Sequence, residues 1–199
     1  MFSANHKIGG LGRVLDDGWF WMMDNNAFGN NFNFDNWINM IDKFSVYRQT
    51  CLGIPAPDVV GNCNQTIKLF WEHKSIIKDY GLTVAFVTQD GLTPQLTPWA
   101  EFDTLFIGGS DSHKLGAEAG LLISAARENG KHVHIGRVNS QRRLEEKFWM
   151  ADSVDGTMLI KAKRIRSDYK DKRSYLTEVK RLYYTVQFCR DKKAQRTLL

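Results

Sequence analysis

The sequence predicts an α/β protein built on a parallel sheet, either open or closed into a barrel. Short apolar runs of five or six residues alternate along the chain with longer stretches of helical periodicity. Several of these runs are almost continuously apolar, as expected for parallel strands that are buried on both faces. The connections between runs and helical stretches are short, which favours a succession of βα units.

Six strands are predicted in the first 160 residues. They are WFWMM (19–23), CLGIP (51–55), TVAFVT (83–88), TLFIG (104–108), HVHIG (132–136) and DSVDG together with TMLI (152–160). Helical periodicity predicts four helices between them, at residues 35–48, 64–79, 114–129 and 140–150. Asn64 is the predicted N-cap of the second helix, and Gly81 and Gly130 are predicted to follow the second and third helices as C-terminal glycines.

The last 39 residues differ in charge from the rest of the chain. Residues 161–199 hold 13 Lys and Arg against 4 Asp and Glu, a net charge of +9, so that residues 1–160 carry −4. Within this segment, residues 169–193 predict one amphipathic helix whose narrow apolar stripe packs on the body. Such a basic extension favours a polyanionic partner, and a solvated basic helix is an equally weighted alternative.

Composition excludes several classes of protein. No stretch approaches the roughly 18 consecutive apolar residues of a membrane span, and the N-terminal MFSANHKIGGLGR lacks the apolar core of a signal peptide. The three cysteines show no CxxC spacing, which favours free thiols and a cytoplasmic location. His132 and His134 share one face of a strand, but no third ligand accompanies them, so we expect no metal and no cofactor.

Polar residues follow each predicted strand, where active sites of parallel α/β folds gather. They are Asp24-Asn25-Asn26, Asp58, Gln89-Asp90-Gly91, Gly108-Gly109-Ser110, Gly136-Arg137 and Asp155. Any one of these is explained as a helix cap or a turn residue, but the whole ordered set is harder to explain in that way. Asp152 and Asp155 lie three residues apart, so a strand places them on opposite faces.

The same strand ends resemble the tRNA-guanine transglycosylase superfamily, in which guanine is exchanged for a 7-deazaguanine base. The resemblance is carried by DNNAF (24–28), APDVVGN (56–62), VTQDG (87–91), Gly108-Gly109, IGRV (135–138) and DSVDG (152–156). Longer stretches, among them FDTLFIGGS and HIGRVNSQRRL, are similar to the DpdA (deoxypurine in DNA) branch of phages and bacteria, which acts on DNA. The likeness covers about residues 19–158 in the same order.

The resemblance implies a TIM-barrel-like (β/α) catalytic domain over residues 1–160, with the basic helical extension at 161–199. At 199 residues the chain is shorter than the roughly 250 typical of eight units, so we expect a compact barrel with fewer. It implies that Asp155 is the nucleophile and Asp24 the acid/base. The implied base-binding residues are Asp58, Gln89, Gly108, Gly109, Phe28 and Ile135. From their charge, the residues expected to contact the nucleic-acid backbone are Arg137, Arg142, Arg143, Lys161, Lys163 and Arg164, and a solvated helix start is the alternative for Arg142 and Arg143.

The expected function is therefore exchange of guanine in DNA for a 7-deazaguanine base, preQ0 or a derivative, in the cytoplasm (the host's, if the protein is phage-encoded). Two departures from the family stand out: the glycines of its Asp-Ser-Gly-Gly turn are Asn26 and Ala27 here, and its zinc-binding cysteine cluster is absent. Transglycosylation of tRNA and non-catalytic nucleic-acid binding on a barrel are the alternatives. A homodimer or an accessory protein is compatible with the sequence.

Overall fold

A computed structural model of the chain describes residues 2–3, 15, 18, 20–27, 32–138 and 151–155. The chain divides into two compact units, Met1–Val133 and His134–Leu199, here called the first and second units. The predicted helices at 140–150 and 169–193, the TMLI segment and the predicted domain boundary at 160 lie outside the described residues. No helix in the described part is both long and apolar enough to cross a membrane.

Five strands of the first unit form a parallel sheet in the order of the chain. They are β1 (Phe2–Ser3), β2 (Trp21–Asp24), β3 (Cys51–Pro55), β4 (Val84–Val87) and β5 (Thr104–Ile107). The prediction of an α/β fold with a parallel sheet is confirmed. A doubly wound sheet reverses its strand order at a switch point, whereas this unbroken sequential order is compatible with part of a TIM-like (β/α) barrel.

The strand predictions are confirmed with small shifts at the ends. CLGIP coincides with β3, and the other runs contain the centres of β2, β4 and β5. The first predicted strand includes Phe20, which is 71% exposed and lies just before the start of β2 at Trp21, while residue 19 lies outside the described residues. β1 was not predicted, since it has only two residues and owes its structure to pairing with Met23 and Asp24.

Helices α1 (Phe34–Phe44) and α2 (Cys63–Asp79) connect these strands. The predicted N-cap Asn64 is wrong. Asn62, which has extended backbone just before the helix, accepts the N–H of Gln65 instead, while Asn64 is already inside the first turn. Gly81 follows α2 at φ 67°, as predicted.

The predicted helix at 114–129 is two helices, α3 (Asp111–Leu115) and α4 (Ala117–Glu128). Gly116 separates them with extended backbone at φ −78° and ψ 174°, so the single-helix prediction was wrong at this point. Gly130 follows α4 at φ 65°, as predicted.

The second unit contains a parallel strand pair. β6 (His132–Ile135), whose last two residues open this unit, pairs with β7 (Ser153–Val154), and His134 lies opposite Ser153. The strand predictions HVHIG and DSVDG are therefore confirmed. Asp152 is exposed and Asp155 is half-buried, as expected for two residues on opposite faces.

Close packing of the sheet in the first unit depends on Gly53 at the centre of β3. A Cβ added there would lie 2.9 Å from the Cβ of Ala85 on β4 and 2.9 Å from the Cε of Met22 on β2. Real Cβ atoms do not approach so closely in a well-packed interior, so the neighbouring strands occupy the space of the missing side chain.

We expect Gly53→Ala to lower the free energy of unfolding by about 1–3 kcal/mol, since the added methyl group overpacks the sheet. Gly120→Ala is the matched control, because a Cβ at Gly120 in the interior of α4 meets nothing within 4 Å. That change should raise stability by about 0.5–1 kcal/mol through helix propensity. Denaturant unfolding of both variants measures the difference, and equal effects would contradict the packing argument.

Candidate functional site

Three polar side chains from successive strand ends of the first unit meet at one carboxylate. Asn25 follows β2, Asp58 follows β3 and Gln89 follows β4. The Asn25 Nδ2 donates to Asp58 Oδ1 at 2.7 Å, and the Gln89 Nε2 donates to Asp58 Oδ2 at 2.6 Å. The parallel order of the strands places these three loops side by side at the carboxyl edge of the sheet. We call these three residues the Asp58 cluster.

Both amides of the Asp58 cluster are fixed in orientation by the main chain. The Asn25 oxygen accepts the N–H of Ala27 at 3.0 Å, and the Gln89 oxygen accepts the N–H of Gly61 at 2.8 Å. Since each amide oxygen is already an acceptor, each amide nitrogen must face the carboxylate. Gln89 is only 1% exposed and Asn25 is buried, so their orientation is set by protein groups.

The surroundings of Asp58 raise the pKa of its carboxyl group to about 6, from an ordinary value of 3.8. Burial is the largest cause. The hydrogen bond from Asn25 lowers the pKa, the negative charge of Asp24 raises it, and the hydrogen bond from Gln89 lowers it. Asp58 is therefore mostly ionised at neutral pH. Each of its oxygens has a second lone pair, to which nothing else in the described part of the chain donates.

Asp24 lies at the end of β2, beside a tight turn. Its Oδ1 accepts the N–H of Asn26 at 2.9 Å. Asn26 has φ 58°, in the left-handed region, at a position where the resembling turn has glycine. Asparagine adopts this conformation more readily than other non-glycine residues. The turn after Asp24 therefore forms without the glycine.

Gly108 and Gly109 follow β5, and packing alone requires both of them. A Cβ at Gly108 would lie 2.7 Å from Val87 Cγ1, and one at Gly109 would lie 2.8 Å from Asp90 Oδ2. Gly109 also has φ 83°. The N–H of Gly108 donates to Thr88 Oγ1 at 3.2 Å, whereas that of Gly109 donates to none of the described residues. Only the Gly109 N–H is therefore open to a ligand.

A network that the sequence did not predict holds this turn to the end of β4. Ser110, the N-cap of α3, donates its N–H to Asp90 Oδ2 at 2.9 Å and its hydroxyl to Asp90 Oδ1. His113, 3% exposed, contacts Thr88 Oγ1 and Glu118 Oε2, both at 3.3 Å. Burial raises the pKa of Asp90, but the Ser110 hydrogen bonds and the nearby His113 outweigh it and bring the pKa below its ordinary value. The network fixes the turn that carries Gly108 and Gly109.

In the second unit, Asp155 follows β7 and has protein donors on both carboxylate oxygens. His134 Nε2 lies 3.0 Å from Oδ2, and the N–H of Arg137 donates to Oδ1 at 3.0 Å. Burial raises the pKa of Asp155, but the hydrogen bonds from His134 and Arg137 and the charge of His134 outweigh it, so the pKa lies below its ordinary value. Asp155 is therefore ionised at neutral pH.

Two backbone hydrogen bonds hold Asp155 itself. Its N–H donates to the carbonyl of Ile135 at 3.2 Å, and its carbonyl accepts the N–H of Val138 at 2.7 Å. Arg137, between these two residues, has φ 60°, which aims its N–H at the carboxylate while its side chain is exposed. Ile135 is buried.

The predicted site residues fall into three groups: those at the strand ends of the first unit, those in the second unit, and those outside the described part of the chain. Asp24, Asp58, Gln89, Gly108 and Gly109 lie at the strand ends of the first unit. Ile135, Arg137 and Asp155 belong to the second unit. The predicted residues outside the described part are Phe28, Arg142, Arg143, Lys161, Lys163 and Arg164.

Sequence reasoning missed the roles of Asn25 and His134. Asn25 was visible only as part of a turn, and His134 only as half of a His-x-His pair. What each of them binds lies on another strand end, so no local pattern indicated it.

The raised pKa of Asp58 predicts a pH-dependent difference in stability between the wild type and Asp58→Asn. Protonation of Asp58 is favoured in the folded state, so the stability it contributes is complete below about pH 4 and is lost as the pH rises through about 6. The free energy of unfolding of the wild type, minus that of the variant, should fall by roughly 2 kcal/mol between pH 4 and pH 7. Denaturant titrations across this range measure it, and a flat or rising difference would contradict the assignment.

The left-handed conformation of Asn26 predicts that glycine is accepted there and valine is not. Asn26→Gly should change the free energy of unfolding by less than about 0.5 kcal/mol, because glycine adopts this φ without strain. Asn26→Val should lower it by about 1–2 kcal/mol, since a β-branched side chain is disfavoured at positive φ. Thermal unfolding of the pair checks this, and an equally stable Asn26→Val would show that the turn has another shape.

Comparison with known proteins adds no support to the transglycosylase resemblance, which depends on the strand-end residues alone. A scan against protein-family models gives no match, and a search of the curated proteins gives no significant match.

Proposed function

We propose that this protein is a DNA-guanine transglycosylase, which exchanges guanine in DNA for a 7-deazaguanine base, preQ0 or a derivative, through a covalent aspartyl-sugar intermediate. The proposal rests on the ordered set of strand-end motifs. The observation that best supports it is the Asp58 cluster, in which a half-buried, ionised carboxylate is oriented by two amides.

The Asp58 cluster suits the hydrogen-bonding edge of guanine. That edge presents N1–H and the N2 amino group as adjacent donors, and each Asp58 oxygen has one lone pair left to accept them. The N–H of Gly109 is available as a donor to the O6 carbonyl. Adenine would present an unprotonated N1 to the carboxylate and leave a buried acceptor without a donor, which is costly. A 7-deazaguanine base has the same edge and can therefore replace guanine.

In the proposed reaction, the sugar is transferred by two displacements at C1′. Asp155 attacks C1′ as guanine departs, and the protonated form of Asp24 protonates the leaving base. Asp24 then takes a proton from the incoming base, which displaces Asp155 from the sugar. The low pKa of Asp155 suits a nucleophile that must be ionised, since a protonated carboxyl group cannot attack.

We propose DNA as the partner because of the positive charge on the second unit. Arg137 is exposed in the second unit, and the basic residues 161–199 carry a net +9, which suits binding to phosphates. A base stacked inside a duplex cannot reach a buried carboxylate, so the target nucleotide must be flipped out or single-stranded.

Incorporation of radiolabelled guanine into DNA and tRNA tests the proposed function. We expect the wild-type protein to label DNA, and Asp155→Ala and Asp24→Ala to lower the rate by at least about 100-fold, since each removes a reacting group. Asp58→Asn should raise KM for the free base by about 10-fold or more, because an amide cannot accept both donors. Asp79→Asn, an exposed change at the end of α2, is the matched control and should exchange normally.

Each other outcome of this assay favours a different function. Label that enters tRNA and not DNA would favour transglycosylation of tRNA. Binding of DNA without any exchange of guanine would favour a non-catalytic nucleic-acid-binding protein. Activity that survives in both Asp155→Ala and Asp24→Ala would contradict the assigned catalytic roles.

A further inference from the structure

His134 is a buried histidine held between two residues of the neighbouring strand segment. It lies on β6 and is 3% exposed. Its Nδ1 is 2.8 Å from Ser153 Oγ, and its Nε2 is 3.0 Å from Asp155 Oδ2. Ser153 and Asp155 are two residues apart, so their side chains lie on the same face and both reach the ring. The parallel register, with His134 opposite Ser153, produces this arrangement.

The partners of His134 define which ring nitrogen carries a proton. Asp155 is ionised at neutral pH and can only accept hydrogen bonds, so Nε2 must be protonated. The Ser153 hydroxyl either donates to Nδ1 or accepts from it. The ring is therefore satisfied as a neutral imidazole or as an imidazolium, and Nε2–H points at Asp155 in both states.

We propose that His134 is a positioning residue, which holds the Asp155 carboxylate in the orientation needed to attack the sugar C1′. This inference rests on the proposed function. A free aspartate rotates about two side-chain bonds, and its oxygens reach C1′ in only part of that range. One donor on each oxygen, His134 Nε2 on Oδ2 and the Arg137 N–H on Oδ1, removes that freedom before substrate binds.

The role requires no proton transfer by His134. In the first displacement, an Asp155 oxygen bonds to C1′ as the C1′–N9 bond breaks. The bonding electron pair leaves with guanine, which takes a proton from Asp24. In the second, N9 of the incoming base bonds to C1′ while its proton passes to Asp24. The C1′–O bond breaks as the C1′–N9 bond forms, and its electron pair returns Asp155 to a carboxylate. The Nε2–H of His134 stabilises the charge that reappears on Asp155 at this step.

Two substitutions separate positioning from a structural role. His134→Phe keeps a ring but has no donor, and we expect it to lower kcat for guanine exchange by about 10- to 100-fold. KM for the free base should not change, since Asp58 binds the base. His134→Gln offers an amide N–H to Asp155 and should recover most of the lost kcat. His73→Phe on α2 is the matched control, because His73 contacts none of the described site residues, and it should exchange normally.

A spectroscopic readout tests the His134–Asp155 bond without activity. In the ¹⁵N NMR spectrum of the full-length protein, His134 should show a protonated Nε2 at neutral pH, and Asp155→Asn should shift that signal. An unprotonated Nε2 in the wild type would overturn the inference.

The outcomes for the two proposals can be told apart. A folded His134→Phe with wild-type kcat overturns the role of His134 and leaves the proposed function standing. A His134→Gln as slow as His134→Phe, with both variants unfolding more easily than the wild type, indicates a structural role and also overturns it. No exchange by the wild type, in DNA or in tRNA, overturns the proposed function together with the role of His134 in it.

Discussion

The candidate site of the first unit depends on one constraint, which is that the Asp58 carboxylate is largely removed from water with no cation beside it among the described residues. A charge taken out of water must regain hydrogen bonds from the protein, or it costs several kcal/mol. Its donors here are two neutral amides, Asn25 and Gln89, and these reach it only because β2, β3 and β4 run parallel and adjacent. Neutral donors orient the carboxylate but do not cancel its charge. The pKa stays raised, and the carboxylate retains a demand for further N–H donors that a ligand can meet.

Asp58 and Asp155 are both removed from water, but their neighbours shift their pKa values in opposite directions. Burial raises the pKa of both groups. At Asp58 a second carboxylate, Asp24, adds to that effect, whereas at Asp155 the hydrogen bond and charge of His134 reverse it. A carboxyl group with a pKa near 6 suits reversible binding of a hydrogen-bonding edge, and one held ionised suits nucleophilic attack. Environments that separate the pKa values of two acids are a common way for proteins to assign them different roles.

The sequence predicted the strands better than it predicted what their ends contact. Apolar runs marked β2 to β6 because buried strands leave a local signature, whereas half-buried β7 leaves a weaker one and two-residue β1 has none. The cap at Asn62 and the break at Gly116 depend on where the helix backbone starts and stops, and two nearby asparagines or a glycine left that choice open. The strand-end motifs predicted Asp58 and Gln89 as neighbours of the site. The bonds from Asn25 to Asp58 and from His134 to Asp155 span 33 and 21 residues, so they follow from strand register and not from spacing.

Asp24 in the first unit and Asp155 in the second each accept a hydrogen bond from a residue with left-handed backbone. Within the described residues, the non-glycine positions with positive φ are Asn26 and Arg137. Each of them donates its main-chain N–H to a carboxylate, Asn26 to Asp24 and Arg137 to Asp155. A left-handed non-glycine residue costs about 1–2 kcal/mol, and such residues persist where the surrounding structure requires a particular direction of the backbone. Here that direction supplies one fixed donor to each of the two acids to which the transglycosylase resemblance assigns the chemistry. The Asn26 donor closes an Asx turn with Asp24 and is explained by that local turn, whereas the Arg137 donor reaches a residue 18 positions away and holds the Asp155 carboxylate through the pairing of β6 with β7.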